Sequence, residues 1–512
     1  MLAFSYTLDA PIIGLYLLLT MAAGLYVRRY VGGVDDFLVA GREMNVYLGI
    51  ASLAATEFGI ITCMYAAQLG YEHGLSGAVL GLLSAAAMLL IGLTGFCIEP
   101  LRRSGVRTLP ELFERRFGPR IRRAAGVVIV LGGLLNMGMF LRVGGEFLML
   151  VCGLDLDRLE LTMTVLLAAV ALYTIFGGML SVLVTDFLQF VVMSVGLLAV
   201  TVLILRDVGW ERLAATAVAH HGAGAFNPLA HPNMGPAYLL FQFVLLGSAV
   251  LTWQTTIARV LAAKDAAVGR KIYTRTSVFF ICRYLIPVVW GVAALGVVSQ
   301  AELAALGPDF QSQRSLYAMP LALSKLVPDG LMGLLVAAML AADMSTDSSY
   351  MLTWGSVIYN DILAPCRRRR GDGSDERRGL LWNRAIVAAI GVYLLLFGLW
   401  FELKGNLWDY LALTGSIYLS SMSVLLIACC YWPGANSGGA AAAIVVGAVV
   451  PAAQLAAKHS ASPRLAQFAA DYASEWGLAA YALCAAAMVS GSLAKRAFDA
   501  RRAERVRVIG DA

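Results

Sequence analysis

The sequence predicts an all-α polytopic membrane protein of about thirteen transmembrane helices. Of 512 residues, 59% are hydrophobic and only 14% charged, a balance outside the range of soluble domains. Mean hydropathy is +0.74. The apolar residues fall in blocks near the roughly 20 residues a helix needs to cross a bilayer, far too long for barrel strands.

Taken in order, apolar segments run at 9–29, 47–71, 78–100, 124–152, 158–177, 179–206, 236–262, 271–299, 329–360, 381–403, 406–431, 437–457 and 474–494. The first reads as a retained span. No basic region precedes it, positive charge follows it, and no A-x-A site ends it. The second is interrupted by an acid, Glu57 in "SLAATEFGIITCMYAAQLGY", and an ionisable group at that depth marks a functional candidate. The fourth carries Arg142 and Glu146, the eighth Arg283, and the ninth Asp343 and Asp347.

Basic residues set the orientation. Arg28, Arg29 and Arg42 follow the first span, and "LRRSGVRTLPELFERRFGPRIRR" follows the third; both loops are expected in the cytoplasm. The same parity places Lys264, Arg270 and Lys271, the "RRRR" run at 367–370 and the basic tail inside. The loops at 207–235 and 301–328, nearly free of Lys and Arg, fall outside. The expected topology is amino terminus out and carboxyl terminus in. The net charge of +6 is then topological, with no nucleic-acid partner implied. The polar "RRRRGDGSDERRG" reads as a flexible connector.

Several function classes are excluded. The longest loops run to about 30 residues and contain no nucleotide-binding fingerprint, G-x-S-x-G or H-E-x-x-H, so no soluble catalytic module or ATP-driven motor is present and the chain is not expected to be an enzyme. The eight cysteines are scattered, without a CxxC pair, and read as small buried apolar residues. His220, His221 and His231 share an outer loop and read as solvated. The absence of an Asn-x-Ser/Thr sequon agrees with a bacterial inner membrane.

Transport remains. Spans two to six and seven to eleven superpose with an offset of five, and an odd offset inverts the second copy in the membrane, as in inverted-repeat transporters. "ATEFG" in span two and "GSAVLTWQTTIAR" in span seven are the corresponding polar interruptions.

The chain resembles the sodium:solute symporters, which include sodium-coupled sugar, proline, sialate, choline and urea carriers. "YTIFGGMLSVLVTDFLQFVVM" (173–193) is similar to the family signature, and "DFLVAGREM" (36–44), "TLPELFERRFG" (108–118), "IARVLAAKD" (257–265) and "LLVAAMLAADMSTDSSYMLTWGSVIYNDI" (334–362) match in order. The resemblance implies a LeuT-like core of ten helices, preceded by one helix and followed by two. The expected organisation is residues 1–46 as an extra helix and loop, 47–206 and 207–431 as the inverted repeats, 432–494 as two final helices, and 495–512 as a basic tail.

The resemblance further implies a sodium site formed by the carbonyls of Ala54, Glu57 and Ala342 and the hydroxyls of Ser345 and Thr346. The spacings i, i+3 and i, i+3, i+4 turn each set to one side of its helix. Such oxygens suit a small hard cation without burying a net charge. Ser345 and Thr346 alternatively bond only their own helix, as hydroxyls in membranes often do. Thr56, Gln254, Arg283 and Arg142 are candidate solute contacts, and Trp253 and Phe58 candidate gates. Asp186 matches the signature aspartate, with an inner-gate ion pair or a second cation site as its role. Asp343 and Asp347 flank the sodium turn as like charges one helical turn apart. They require a cation between or beside them, a proton, or neutralisation by an arginine such as Arg142 or Arg283. The function implied is sodium-coupled symport of a small polar solute, amine-bearing or zwitterionic, by a monomer or weak oligomer in the lipid bilayer. No cofactor beyond the co-transported sodium is called for. The alternatives are proton coupling through Glu57 or Asp343, and a non-transporting sensor.

Overall fold

The computed structural model describes residues 4–510 apart from 32, 155, 307–312, 369–375, 402 and 404, so much of the polar connector lies outside the described residues. Among the described residues every regular element is helical. The single β pairing is an isolated bridge between Met44 and Ala263. In lipid only helices satisfy their own backbone groups within one segment.

The helices that build the membrane body are α1 (Asp9–Val27), the pair α2 (Val46–Glu57) and α3 (Ile60–His73), α4 (Val79–Thr94), α5 (Pro119–Met137), α6 (Phe140–Cys152) and α7 (Leu159–Asp207). They continue as the pair α8 (Pro236–Thr252) and α9 (Gln254–Ala262), α10 (Ala266–Val297), α11 (Leu331–Val357), α12 (Glu376–Trp400), α13 (Leu407–Tyr431), α14 (Ser437–Lys458) and α15 (Ala473–Gly510).

Among the described residues, eleven continuous stretches are long and apolar enough to cross a bilayer, and two of them are interrupted. The 49 residues of α7 would span about 74 Å at 1.5 Å each, more than twice the hydrocarbon core. They turn at Gly178, where φ is +53° and ψ −150°; a Cβ there would lie 2.5 Å from the Phe37 ring. The stretch Ile60–Thr94 turns at Gly74–Ala78 between α3 and α4. With these two interruptions, the thirteen hydropathy blocks fall mainly on helices.

Burial is uneven. The apolar windows of α11 and α13 are 89% buried, whereas that of α1 is 22% buried. Both inner helices carry clusters of Ser, Thr, Ala and Gly, the small residues that let membrane helices approach closely. A Cβ on Gly196 of α7 would sit 2.6 Å from Ala338 of α11.

Polar anchors fix both ends of α11. At its start, fully buried Asp9 accepts hydrogen bonds from the backbone N–H of Gly330 and Gly333, each at 2.7 Å. An acid from α1 thereby serves the open N-terminus of α11. At its other end, Arg122 of α5 donates to Asp361 at 2.7 Å, to the Asn360 carbonyl at 2.8 Å and to Glu114 at 2.5 Å. The arginine-rich loop after the third span is thus partly structural.

Candidate functional site

Two helix breaks face each other in the core. α2 ends at Glu57, and Phe58 and Gly59 leave helical geometry before α3 begins. α8 ends at Thr252, and Trp253 is extended, with ψ 125°, before α9. Both occur at the polar interruptions seen in the sequence. Broken backbone at membrane depth is tolerated where protein or a polar cavity satisfies it.

Glu57 joins the two breaks. Its Oε1 accepts from the hydroxyls of Thr255 and Thr256 of α9, both at 3.0 Å. Its Oε2 accepts from Arg283 of α10 at 2.8 Å. Arg283 also donates to the Tyr65 hydroxyl at 3.2 Å, and Tyr65 donates to Tyr284 at the same distance. The acid therefore lies in a matched pair. A buried carboxylate held by a bidentate-capable guanidinium and two hydroxyls is satisfied where an isolated one would not be.

The face of α2 that carries the expected sodium ligands meets α11. Ala54, Glu57, Ala342, Ser345 and Thr346 are all buried. Thr346 donates to the Thr56 carbonyl at 2.9 Å, and the Glu57 carbonyl accepts from the Thr62 hydroxyl at 3.3 Å. Gly59 permits this approach, since a Cβ would stand 2.6 Å from Thr346 Oγ1.

Beside this contact lies a network that sequence reading found only in half. Asp186 pairs with Arg259 of α9 at 3.0 Å, both fully buried. Arg259 also donates to the hydroxyls of Thr56 and Ser349, each at 2.6 Å, to Ser52 at 3.1 Å and to the Thr255 carbonyl at 3.3 Å. Ser52 and Ser345 donate to Asp186 at 2.5 Å and 2.6 Å. The signal for Arg259 was present in "IARVLAAKD", an arginine in an apolar helix, but its partner lies 73 positions away. Nearby, Met44 donates to the Ala262 carbonyl and Arg102 to the Ala263 carbonyl, at 3.1 Å and 2.6 Å. These bonds tie the end of α9 to the segments that carry Met44 and Arg102.

Above the breaks is a cavity of about 100 Å³. Its lining includes the polar residues Glu57, Thr256, Arg283 and Asn136 and the aromatic residues Tyr65, Phe140, Trp253, Phe280, Tyr284, Tyr350 and Trp408. The Trp253 indole N–H donates to the Tyr350 hydroxyl at 2.8 Å. Few convergent polar groups in an aromatic pocket are the usual make-up of a small-molecule site. A wider cavity of about 580 Å³ lies beyond, edged by Glu72, Asp409, Asp471, Glu475 and Lys458. Ala412 lines both cavities, and the Tyr65 and Trp408 rings, 5.0 Å apart, stand at the wall of the smaller one.

The remaining candidates sit elsewhere. Gln254 donates to the Thr252 carbonyl at 3.2 Å and does not line the small cavity. Arg142 is bound to Glu146 at 2.9 Å and to the carbonyls of Gly398 and Phe401; it too is absent from the lining. Phe58 is buried against Phe279. Asp343 and Asp347 are buried, and neither Arg142 nor Arg283 reaches them. In the segment 207–235, the rings of His221 and His231 lie 6.0 Å apart, and no metal-binding group of three appears among the described residues. Burial holds both imidazoles below the usual histidine range.

Known proteins share this architecture. Sodium/glucose cotransporter 4 of Danio rerio is 27% identical over 479 residues, spanning 86% of this chain and 70% of that protein. The sodium/myo-inositol cotransporter of Canis lupus familiaris is 25% identical over 498 residues, spanning 88% and 67%. The structure of a sodium-coupled sialic acid symporter, substrate-bound and outward-open, superposes with a TM-score of 0.76 at 20% identity, over 95% of this chain and 97% of that one. The fold is the LeuT-like one. The description of the sodium:solute symporter family matches residues 37–447, and the chain belongs to that family of sodium-coupled solute symporters.

Proposed function

We propose that the protein carries a small zwitterionic or amine-bearing solute into the cell together with sodium, with the solute held in the cavity between the two helix breaks. The observation that carries this reading is the Glu57–Arg283 pair at the cavity wall. It offers an anion and a guanidinium side by side, so a solute bearing an ammonium and a carboxylate can exchange partners with it and leave no charge unpaired. Relatives named for glucose and myo-inositol handle neutral polyols; the charged pair argues for a different cargo here.

The sodium ion is assigned to the carbonyls of Ala54, Glu57 and Ala342 and the hydroxyls of Ser345 and Thr346, where α11 meets the break of α2. Asp186 and Arg259 act as the inner gate and Trp253 as a cavity wall that moves with α9. The repeats at 47–206 and 207–431 rock against each other about this site. Sodium bound from outside orders the α2 break, solute follows, and both leave on the arginine-rich side. That side is assigned to the cytoplasm of a bacterial inner membrane, with the amino terminus outside. Each sodium charge entering contributes about 2.3 kcal/mol per 100 mV of membrane potential.

The test is a thermal-shift and proteoliposome-uptake screen of amino acids, amines, organic acids and sugars, each in sodium and in potassium. Sodium-dependent stabilisation and uptake are expected for a zwitterion or amine, and Glu57→Gln should abolish the solute response. A response confined to neutral sugars would sink the charged-solute reading.

A further inference from the structure

Inside the helix bundle Arg122, Arg142, Arg259 and Arg283 each hold a carboxylate. Lys271 and Arg275, near the start of α10, do not. Both are exposed, and among the described residues neither has an ion pair or a hydrogen bond. Two acids close to them in the chain or at the end of α4 are engaged elsewhere. Glu99 accepts from Arg103, and Asp265 caps α10 by accepting from the Val268 N–H at 2.8 Å.

The two free cations stand at a hollow where α4 ends and α10 begins. Arg270 donates to the carbonyls of Gly92, at 3.2 Å, and of Leu93, in the last turn of α4. The helices approach closely here, since a Cβ on Gly92 would lie 2.6 Å from Thr274 Oγ1. The cavity between them measures about 300 Å³, and its lining includes Arg270, Lys271, Thr274 and Arg275. Past the cavity the surface turns apolar. Lys271, Arg275, Val278 and Leu285 fall at i, i+4, i+7 and i+14, one stripe of α10, with Val278 65% and Leu285 41% exposed. Leu90 and Leu93 of α4 are each 55% exposed. Orientation in the membrane asks only for basic residues somewhere beyond the span. It does not ask for two unpaired cations and a hydroxyl in a hollow between two helices, at the foot of an apolar stripe.

We propose that this hollow binds the headgroup of an anionic phospholipid, with the phosphodiester on Lys271, Arg275 and the Thr274 hydroxyl and the acyl chains along the stripe of Val278 and Leu285. Basic pockets between membrane helices suit such headgroups, and charges that meet in a partly dehydrated hollow are screened less than on an open surface. A phosphatidylcholine headgroup carries its own cation and gains less. The bound lipid steadies the start of α10. Arg283, which holds Glu57, lies on the same helix about 12 Å beyond Arg275. The lipid site is independent of which solute the carrier takes and of where sodium binds.

The test uses the purified full-length carrier, stripped of lipid in a neutral detergent and titrated with phosphatidylglycerol or phosphatidylcholine. Native mass spectrometry counts retained lipid, and thermal shift reads stabilisation. The wild type should retain phosphatidylglycerol in preference and melt higher with it. Lys271→Gln and Arg275→Gln should each weaken that retention about fivefold, and the double variant about 25-fold, the share one basic residue contributes near an anionic surface. Lys271→Arg keeps the charge and should bind as the wild type does, so charge and fold are separated even if the Gln variants lose stability. Arg501→Gln with Arg502→Gln removes the same charge from exposed positions on α15 and should leave retention unchanged. Equal retention of the two lipids by the wild type, unchanged retention in the Lys271/Arg275 double variant, or an equal loss in the α15 variant overturns the proposal. So does full stabilisation by inorganic phosphate in place of the lipid, which would mark a site for a free anion.

Discussion

Replacing Arg259 by Met should open the arginine-rich side of the carrier, and the size of the effect follows from how Asp186 copes without its partner. Both residues are fully buried, and Asp186 would keep the hydroxyls of Ser52 and Ser345 as donors. Left ionised, an uncompensated buried charge costs about 3–5 kcal/mol. The alternative is to take up a proton. From an ordinary aspartate near pH 4, this costs roughly 4 kcal/mol at pH 7, at about 1.4 kcal/mol per pH unit. The cheaper route sets a ceiling of about 4 kcal/mol, so the closed form should lose on the order of 10³-fold in population relative to forms that admit water. The ceiling falls with pH, because the proton becomes easier to obtain; at pH 5 the penalty should shrink to about 1.5 kcal/mol. Asp186→Asn should be as disruptive at pH 7 without easing in acid, since a guanidinium cannot shed its charge. The double variant should cost at least about 2 kcal/mol less than the sum of the singles. Hydrogen exchange of the amides in 46–57 and 254–262 measures these opening energies. A change below about 1 kcal/mol in Arg259→Met, a pH-independent effect, or additivity in the double variant would refute the gate.

Thr346→Val removes the hydroxyl that donates to the Thr56 carbonyl at 2.9 Å. Half-saturating sodium should rise at least tenfold in thermal-shift titrations, with about 1–2 kcal/mol lost in stability from the unpaired carbonyl. Gly291→Ala places a Cβ 1.9 Å from the Ala67 carbonyl, a backbone atom that cannot yield; it should lose more than about 3 kcal/mol or fail to express. Gly14→Ala has nothing within 4 Å and should melt like the wild type, which checks that the effect is packing. His221 and His231 are held below their usual range by burial, so the folded loop binds protons less readily than the open one. Stability present above about pH 6.5 should therefore be lost as pH falls, and exchange of residues 210–235, corrected for intrinsic rates, should quicken between pH 7.5 and 5.5. Replacing both histidines by Gln should flatten that change.

Much of the site was legible because membrane sequences are punctuated. A polar residue in an apolar block has few benign explanations, so Glu57, Asp186, Arg283 and Asp343 stood out at once, and both helix breaks lie at the predicted interruptions. Partner choice was not legible. Arg142 and Arg283 were both offered as neutralisers of the Asp343–Asp347 pair, yet each is taken by a glutamate. For Arg142 that glutamate is four residues on; for Arg283 it is 226 positions away. Asp9 drew no notice in sequence, because an acid beside the start of a span looks like an ordinary boundary residue. Only the approach of α1 to Gly330 and Gly333 makes it the cap of α11.

The sequence by itself determined the class, the apolar helical blocks and the positions of the breaks, because these depend on local apolar length and on residues that interrupt it. The tertiary structure decided which buried charges cancel. An ion pair in low dielectric depends on distances of about 3 Å between helices far apart in the chain, and no periodicity records such distances. That decision changes the reading of α11. Among the described residues, the acids matched by arginines are Glu57, Asp186, Glu146 and Asp361, whereas Asp343 and Asp347 keep carboxylate oxygens without a hydrogen-bond partner.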